Sequence, residues 1–293
     1  MPEQLVAFAY ICLGAFGLLF GSFANVLIWR VPRGESIVSP GSHCPKCGHD
    51  IRWYDNVPVL SWLALRGRCR DCGEPIAWRY PAVEVASGVL WVLAGWRFGL
   101  SAGTPLAALP LAVAFFYLLL VLSVIDLDHR RLPTPLVMVL GGIAGVAAIA
   151  AQFTGMQFAP LTIAPGTDLW GSPLVLALLG LGLGVGTSWG IAALYGVLRG
   201  RQGLGFGDVR LLGAMGLVLG PYVLLAYALA NILGVLGAIP AMIVARRRSV
   251  GVSATSLGQA SFPFGPFLAL GGLLTALAGP AMWTGYLALL GVR

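Results

Sequence analysis

Four acidic residues lie at the edges of long apolar segments, where a carboxylate is costly and is usually functional. They are Glu84, Asp126, Asp128 and Asp208, and the other Asp and Glu residues fall in termini or polar loops. An Asp that opens an apolar helix can act simply as its N-cap, and this alternative applies to Asp208. Asp126 ends an apolar segment, where the helix dipole disfavours negative charge. Its position therefore indicates a chemical task.

Asp126 and Asp208 provide the two carboxyl groups that an acid–base pair requires. Two carboxylates that share a site do not easily both ionise, so one keeps a proton while the other takes one from a water molecule. That arrangement suits hydrolysis of a peptide bond. Other protease chemistries lack their residues: there is no H-E-x-x-H sequence, and His43, His49 and His129 have no evident serine or cysteine partner.

A second group of reactive residues consists of two C-x-x-C pairs, Cys44 with Cys47 and Cys69 with Cys72. Each such turn presents two thiolates, and four thiolates complete the tetrahedral shell of Zn²⁺. The charge pattern places this loop in the cytosol, where disulfides are rare. Structural zinc is therefore the favoured interpretation, with a redox pair or unligated thiols as alternatives. The fifth cysteine, Cys12, lies among apolar residues and is expected to serve in packing.

The elements that carry these residues are apolar segments of membrane-spanning length. Of the 293 residues, 58% are hydrophobic and 10% are charged, which indicates an integral membrane protein. A span needs about 20 apolar residues and must be helical to pair its backbone. The sequence predicts an all-α polytopic protein with eight helices, near residues 5–28, 81–98, 106–125, 135–153, 173–198, 209–223, 225–245 and 264–290.

Glycines are expected to decide how two of these helices pack. The fifth predicted helix contains Gly182, Gly186 and Gly190 at four-residue spacing. Such spacing places small residues on one face, where a neighbouring backbone can approach closely. We therefore predict that this stripe is a packing face.

Basic residues set the orientation, because Lys and Arg in short loops stay on the cytoplasmic side. With the amino terminus outside, all 18 Lys and Arg residues except Arg97 and Arg293 fall inside. The net charge of +7 thus reflects topology and not nucleic-acid binding. The loop 154–172 is predicted outside, and the loops 199–207 and 246–263 inside. Both Asp126 and Asp208 then lie at the cytoplasmic face, where they could meet.

The polar content is concentrated between the first two predicted helices. This pattern predicts three parts: a first helix at 1–29, a small zinc-ribbon-like cytoplasmic domain at 30–80, and a transmembrane peptidase domain at 81–293.

Several motifs in this order resemble the bacterial type IV prepilin peptidases, which are G-x-G-D membrane aspartyl proteases. Gly205-Phe206-Gly207-Asp208 is the G-x-G-D sequence. The other matches are Gly21-Ser22-Phe23-Ala24-Asn25-Val26 in the first helix, the double C-x-x-C loop, Arg79-Tyr80-Pro81 with Val83-Glu84, Ile125-Asp126-Leu127-Asp128, and Pro263-Phe264-Gly265-Pro266. The resemblance covers about residues 21–275.

The resemblance implies a function. Members of that family cleave the short basic leader from type IV prepilins and from related pseudopilins of type II secretion, at the cytoplasmic face of the inner membrane. Many also methylate the new amino terminus with S-adenosylmethionine. By position, the catalytic pair is Asp126 and Asp208. Supporting roles fall to Asp128, Glu84, Gly205, Gly207 and Arg210, and Gly67 matches a glycine linked to methylation. The expected partners are a prepilin or pseudopilin substrate and membrane lipid.

Two residues depart from the family pattern. Thr134 stands where the family usually has Asp after Leu-Pro, and we expect it to cap the fourth predicted helix. Arg210 replaces the commoner Lys after G-x-G-D, which keeps the charge but not the shape.

Other functions remain as alternatives at this point. Presenilin-like and archaeal preflagellin peptidases share G-x-G-D, but the cysteine loop and the Phe-Gly-Pro motif argue against them. A proton-coupled transporter, or an assembly protein of pili or secretion systems with a zinc-stabilised loop, would also carry membrane aspartates. A carrier needs its acids deeper in the bilayer, so the peptidase is favoured.

Overall fold

Long helices make up nearly all of the regular structure. The computed structural model describes residues 3–100, 106–156, 158–162, 172–200, 204–248 and 263–291. In those ranges the α-helices are α1 Glu3–Arg30, α2 Leu60–Ala64, α3 Arg79–Gly95, α4 Ala108–His129, α5 Thr134–Thr154, α6 Pro173–Arg199, α7 Phe206–Leu219, α8 Val223–Arg248 and α9 Gly265–Leu289. The predicted all-α membrane fold is confirmed.

Seven stretches of the described chain are long and apolar enough to cross a membrane, which makes this a multi-pass membrane protein. One of them, Phe206–Gly237, contains both the sixth and the seventh predicted helix. A 3-10 turn at Gly220–Tyr222 separates the two. The break therefore lies at the predicted Gly220-Pro221, where proline lacks the backbone N–H that a continuous helix needs.

The chain reverses its direction at this turn. In α9, Gly271 packs against the backbone of α8 near Ala226, and Gly279, about two turns further on, lies beside Tyr222 at the start of α8. Helices α8 and α9 are therefore antiparallel. The first turns of α7 and α9 both lie near Asp126, so these two helices run in the same direction and α8 runs back.

Helix α6 packs on α7 through a glycine face, but not through the predicted one. Within the described residues, no neighbouring segment lies within 4 Å of the position that a β-carbon would take at Gly182, Gly186 or Gly190. The buried stripe contains Gly180 and Gly184. A β-carbon at either position would overlap backbone atoms of α7. The predicted face was wrong because two interleaved glycine stripes share the same spacing, and the sequence does not show which one meets a neighbour.

Two compact units divide the chain, residues 1–121 and residues 122–293. In the first unit, α1 and α3 lie in backbone contact: a β-carbon at Gly17 would meet Gly88, and one at Gly21 would meet Glu84. In the second unit, α6 and α7 make the equivalent contact. The predicted three-part division at residues 29 and 80 stays a prediction.

Parts of several predicted loops lie outside the described residues. These are residues 163–171 with Asp168 in the predicted outside loop, residues 201–203 with Arg201 in the loop 199–207, residues 249–262 of the loop 246–263, and Arg293.

The two glycine stripes of α6 provide a matched test of this packing. We expect Gly184→Ala to lower the thermal stability of the purified protein, since the new methyl group would collide with the carbonyl of Leu212 and overpacking costs about 1–3 kcal/mol. Gly186→Ala should be neutral or stabilising, because it meets open space and Ala is the better helix former by up to about 1 kcal/mol. Thermal unfolding in detergent measures both. Equal effects of the two substitutions would contradict this packing.

Candidate active site and metal centre

Asp126 lies in the last turn of α4, buried, and is held by the start of α9. The backbone N–H of Gly265 donates a hydrogen bond to its Oδ2 at 2.8 Å. Gly265 is the first residue of α9, where backbone N–H groups have no partner inside the helix. A β-carbon at Gly265 would lie 2.8 Å from Oδ2 and 2.9 Å from the Asp126 β-carbon. Only glycine allows this approach, and it leaves Oδ1 for other partners.

Asp208 lies in the first turn of α7 and not at its N-cap position, although its carboxyl group accepts a hydrogen bond from the backbone N–H of Gly205. The N-cap is Gly205, and Asp208 is the third helical residue. A β-carbon at Gly205 would lie 3.1 Å from Oδ2 of Asp208, and one at Gly207 would lie 3.1 Å from Leu132. The first glycine therefore leaves room for the carboxyl group, and the second lets α7 approach the segment that follows α4. The N-cap alternative for Asp208 is thus wrong.

The two carboxyl groups interact through their charges, although Asp126 and Asp208 come from different helices. Asp128, two residues after Asp126, is exposed instead of buried. The side chains of Asp126 and Asp128 therefore have different surroundings, as expected from their helical spacing.

The two departures from the family pattern contact each other. Nη1 of Arg210 donates to Oγ1 of Thr134 at 2.6 Å, and the guanidinium lies 4.5 Å from the centre of the Phe206 ring. Thr134 is the first residue of α5, and the cap position belongs to Pro133. The expected cap at Thr134 was wrong because the hydroxyl serves a tertiary contact. This contact ties the start of α5 to the helix that carries Asp208.

The cysteines form two equivalent turns in the first unit. Cys44 and Cys69 each donate a backbone N–H across their turn, to the carbonyls of His49 and Glu74 respectively. Each turn ends in a glycine with positive φ, Gly48 at 73° and Gly73 at 72°. The sequence C-x-x-C-G is therefore used twice, with glycine supplying the left-handed conformation.

Together the two turns form a candidate metal centre. The Sγ atoms of Cys44, Cys47, Cys69 and Cys72 all lie within 4.8 Å of one another. Cys44 and Cys72 are 3.9 Å apart at sulfur. A tetrahedral zinc site with bonds of about 2.3 Å requires about 3.8 Å between thiolates, whereas a disulfide requires about 2.05 Å. The donor set therefore fits a four-thiolate metal.

The pKa values of the thiols differ within the cluster, since burial and the neighbouring thiols raise the pKa of Cys47 and Cys72. Backbone N–H groups of Cys47 and Lys46 hold the pKa of the Cys44 thiol at about 7. A low pKa favours the thiolate, which is the form that binds metal.

Ion pairs fasten the second turn to the preceding segment. Arg70 donates two hydrogen bonds to Asp55, at 2.7 and 2.6 Å, and this interaction lowers the pKa of the Asp55 carboxyl group. Arg52 pairs with Asp71 at 3.1 Å. Arg70 and Asp71 are the two residues between Cys69 and Cys72, so both non-cysteine residues of this turn are held.

A cavity of about 930 Å³ lies in the first unit. It is lined by residues of α1, of α3 and of the stretch 31–78 between them, which contains the four clustered cysteines (the cysteine segment). Glu84 is buried on its wall and accepts a hydrogen bond of 2.8 Å from the backbone N–H of Val59. Trp62 also lines the cavity, and its indole N–H donates to the carbonyl of Ile76 at 3.0 Å. Glu84 is therefore part of the wall of this cavity, where its contact with Val59 joins α3 to the cysteine segment.

Gly67 supports the tryptophan of the same cavity. Its φ is +66°, and a β-carbon there would lie 2.9 Å from the Trp62 ring. Its N–H donates to the Trp62 carbonyl at 2.8 Å. The geometry explains why glycine is needed, while a role of Gly67 in methylation stays a prediction.

Two protein-family models match successive parts of this chain. Residues 15–98 match the bacterial peptidase A24 N-terminal domain, and residues 113–242 match the type IV leader peptidase family. A curated protein of Stutzerimonas stutzeri, named prepilin leader peptidase/N-methyltransferase, is 33% identical over 94% of this chain and 93% of its own length. The chain belongs to the type IV leader peptidase family. No solved structure matches it.

Two further relatives agree with this membership. The Pseudomonas aeruginosa protein with the same name is 31% identical over 97% of this chain and 95% of its own length. A protein of Escherichia coli, named type 4 prepilin-like proteins leader peptide-processing enzyme, is 36% identical over 88% of this chain and 90% of its own length. The family resemblance inferred from the motifs is therefore confirmed.

Sequence reasoning missed two contacts of the candidate sites. It recognised the motif around Gly265 but assigned no role to the Gly265 N–H group, although a glycine before proline at a helix start was a usable signal. It had no signal for Val59, whose N–H reaches Glu84 only through the tertiary fold.

The contact between α9 and Asp126 can be tested at a single atom. We expect Gly265→Ala to reduce peptide cleavage by about 10²-fold, because the added methyl group displaces the Asp126 carboxyl group and misplacement of reacting groups by about 1 Å has that effect. Gly285→Ala, in the same helix with no atom within 4 Å of the added carbon, is the control. The measurement is the cleavage rate of a prepilin at equal protein concentration. Full activity of Gly265→Ala would show that this contact does not matter.

Proposed function

We propose that this protein removes the basic leader from type IV prepilins or related pseudopilins, with Asp126 and Asp208 as its catalytic pair. The observation that supports the proposal is the electrostatic interaction of these two residues beside the first turns of α7 and α9. The names of the relatives support the substrate class. Family membership does not favour the transporter alternative.

The chemistry would be acid–base hydrolysis. One carboxyl group takes a proton from water as the water oxygen attacks the scissile carbonyl carbon, and the other gives a proton to the leaving nitrogen. The Gly265 N–H fixes one oxygen of Asp126, so the carboxyl group cannot rotate freely away from the substrate. Gly205, Gly207 and Arg210 would support the reaction by positioning α7. Asp128 would support it from its exposed position two residues after Asp126.

The distribution of basic residues supports a cytoplasmic active site. Since the basic residues are concentrated in the segments predicted inside, we place the catalytic pair and the cysteine segment at the cytoplasmic face of the inner membrane. A leader rich in positive charge stays on that side for the same reason. The substrate then reaches the pair laterally, surrounded by lipid.

Zinc is the metal that we propose for the four cysteines. Four thiolates at these separations suit Zn²⁺, which is four-coordinate and tetrahedral in nearly all structural protein sites. Such a site would be structural, because no ligand position is left for water or substrate.

We further propose that the protein methylates the new amino terminus with S-adenosylmethionine, as the relatives' name indicates. That cofactor supplies a methyl group bound to a sulfonium. The new amino terminus would accept this methyl group and release a proton to solvent, and the neutral thioether would leave. The role of this chain is to bind both reactants and to exclude water from the cofactor.

Catalysis by an aspartate pair predicts a specific mutational pattern. Asp126→Asn and Asp208→Asn should each reduce prepilin cleavage by at least about 10²-fold, because an amide neither accepts nor donates the proton. The double variant should be no worse than either single one, since residues that act as a unit are non-additive. Asp128→Asn should keep measurable cleavage. Near wild-type cleavage by Asp208→Asn, in protein with a normal expression level and normal zinc content, would refute the mechanism.

The metal proposal predicts a loss of both zinc and local order. Cys44→Ser should lower the zinc content from about one per chain and make residues 40–75 sensitive to protease, because metal binding and folding are coupled. Cys12→Ser is the control, since Cys12 lies outside the cysteine cluster. Metal analysis and limited proteolysis of the purified protein measure these effects. Protein that contains disulfides and no zinc would exclude the site.

A further inference from the structure

The cavity of the first unit has the size of a small-molecule site. Its volume of about 930 Å³ lies within the range of about 300–1,000 Å³ for ligand pockets. The packed helices α1 and α3 line one part of the cavity, and the cysteine segment lines the rest. These walls are fixed by the glycine contacts of α1 with α3 and by the ion pairs of the cysteine segment.

Two charged residues on this wall are buried, and they carry opposite charges. Arg30 is 9% exposed and Glu84 is 8% exposed. Arg30 donates to the carbonyls of Ser36 and Gly41, at 3.0 and 3.1 Å. Glu84 accepts from the N–H of Val59 and from the hydroxyl of Ser22. All of these partners are neutral.

Neither buried group has an ionic partner in the part of the chain that the structure describes. Salt bridges there join Arg52 to Asp71 and Arg70 to Asp55, both on the same cavity wall. The other charged residues of the wall are exposed or paired. Arg30 and Glu84 are not, and an uncompensated buried charge is strongly unfavourable unless a ligand compensates it.

The backbone next to Glu84 is strained. Val59 has φ 61° and ψ −49°, although a β-branched residue at positive φ is a conformational outlier. Strain of this kind is concentrated at binding and active sites. Here it directs the Val59 N–H at Glu84, which fixes the position of the carboxyl group in the cavity wall.

These features describe a ligand with one anionic and one cationic end and a flat apolar part. Arg30 suits a carboxylate, Glu84 suits a cation, and the fixed indole of Trp62 offers a flat surface on which a heteroaromatic ring can stack. We propose that this cavity binds S-adenosylmethionine, with Arg30 at its carboxylate, Glu84 at its sulfonium and Trp62 at its base. This inference rests on the proposed methylation, and it assigns that activity to residues of the first unit.

The test compares two ligands that differ in the charge at sulfur. Equilibrium dialysis of the purified full-length protein in detergent gives the affinities for S-adenosylmethionine and for S-adenosylhomocysteine, its neutral thioether product. The variants are Glu84→Gln, which keeps a hydrogen-bond acceptor for Val59, and Arg30→Gln. Glu35→Gln is the control, because Glu35 lines the same cavity but is exposed. Zinc content and thermal unfolding verify that each variant is folded.

We expect Glu84→Gln to weaken S-adenosylmethionine binding about tenfold and to affect S-adenosylhomocysteine much less, so that the preference for the sulfonium disappears. Arg30→Gln should weaken both ligands equally, since both carry the carboxylate. Glu35→Gln should leave both affinities within about twofold.

Three results would overturn the assignment. Folded Glu84→Gln with unchanged affinities would exclude the cavity as the site, and so would an equal loss for both ligands, which indicates a purely structural role. Wild-type protein that cleaves prepilin but binds a peptide of the mature pilin sequence in this cavity, and no S-adenosylmethionine, would identify a substrate site instead. Cleavage is measured on the same preparation, so failure of this inference is distinguished from failure of the peptidase proposal.

Discussion

The candidate active site depends on one interaction: a backbone N–H group donates to the buried carboxyl group of Asp126. This contact is possible because the donor residue, Gly265, has no side chain. A helix start has unpaired N–H groups to donate, and a carboxyl group at the end of another helix needs a partner. The two requirements satisfy each other, and this fixes the start of α9 next to α4.

Glycine acts in the same way elsewhere in the molecule. Backbone contact between α6 and α7 at Gly184 holds the helix that carries Asp208, and contact between α1 and α3 at Gly21 holds the helix that carries Glu84. In lipid there is little hydrophobic gain from joining two helices, so close van der Waals packing must provide the association. Each reactive carboxyl group is therefore carried on a helix whose position is set by backbone contact.

The cysteine segment is stabilised in a different way from the membrane helices. It is too small and too polar to bury a core of its own, so four thiols and two ion pairs replace the core. Since metal binding and folding are coupled in such segments, the shape of the neighbouring cavity depends on the state of the cysteines. The strained Val59 links this segment to Glu84 in the membrane helices.

The sequence by itself determined the features that depend on local spacing and composition: the helical spans, the break at Gly220-Pro221, the two C-x-x-C turns and the family motifs. These follow from the length of apolar runs and from the fixed geometry of turns, which need no knowledge of distant residues. Only the tertiary structure decided which glycine stripe of α6 is buried, that Thr134 accepts a hydrogen bond from Arg210 instead of capping α5, and that Gly265 and Val59 donate to Asp126 and Glu84. Each of these depends on two segments far apart in the chain, and the residue types at one segment do not specify which atoms of the other will face them.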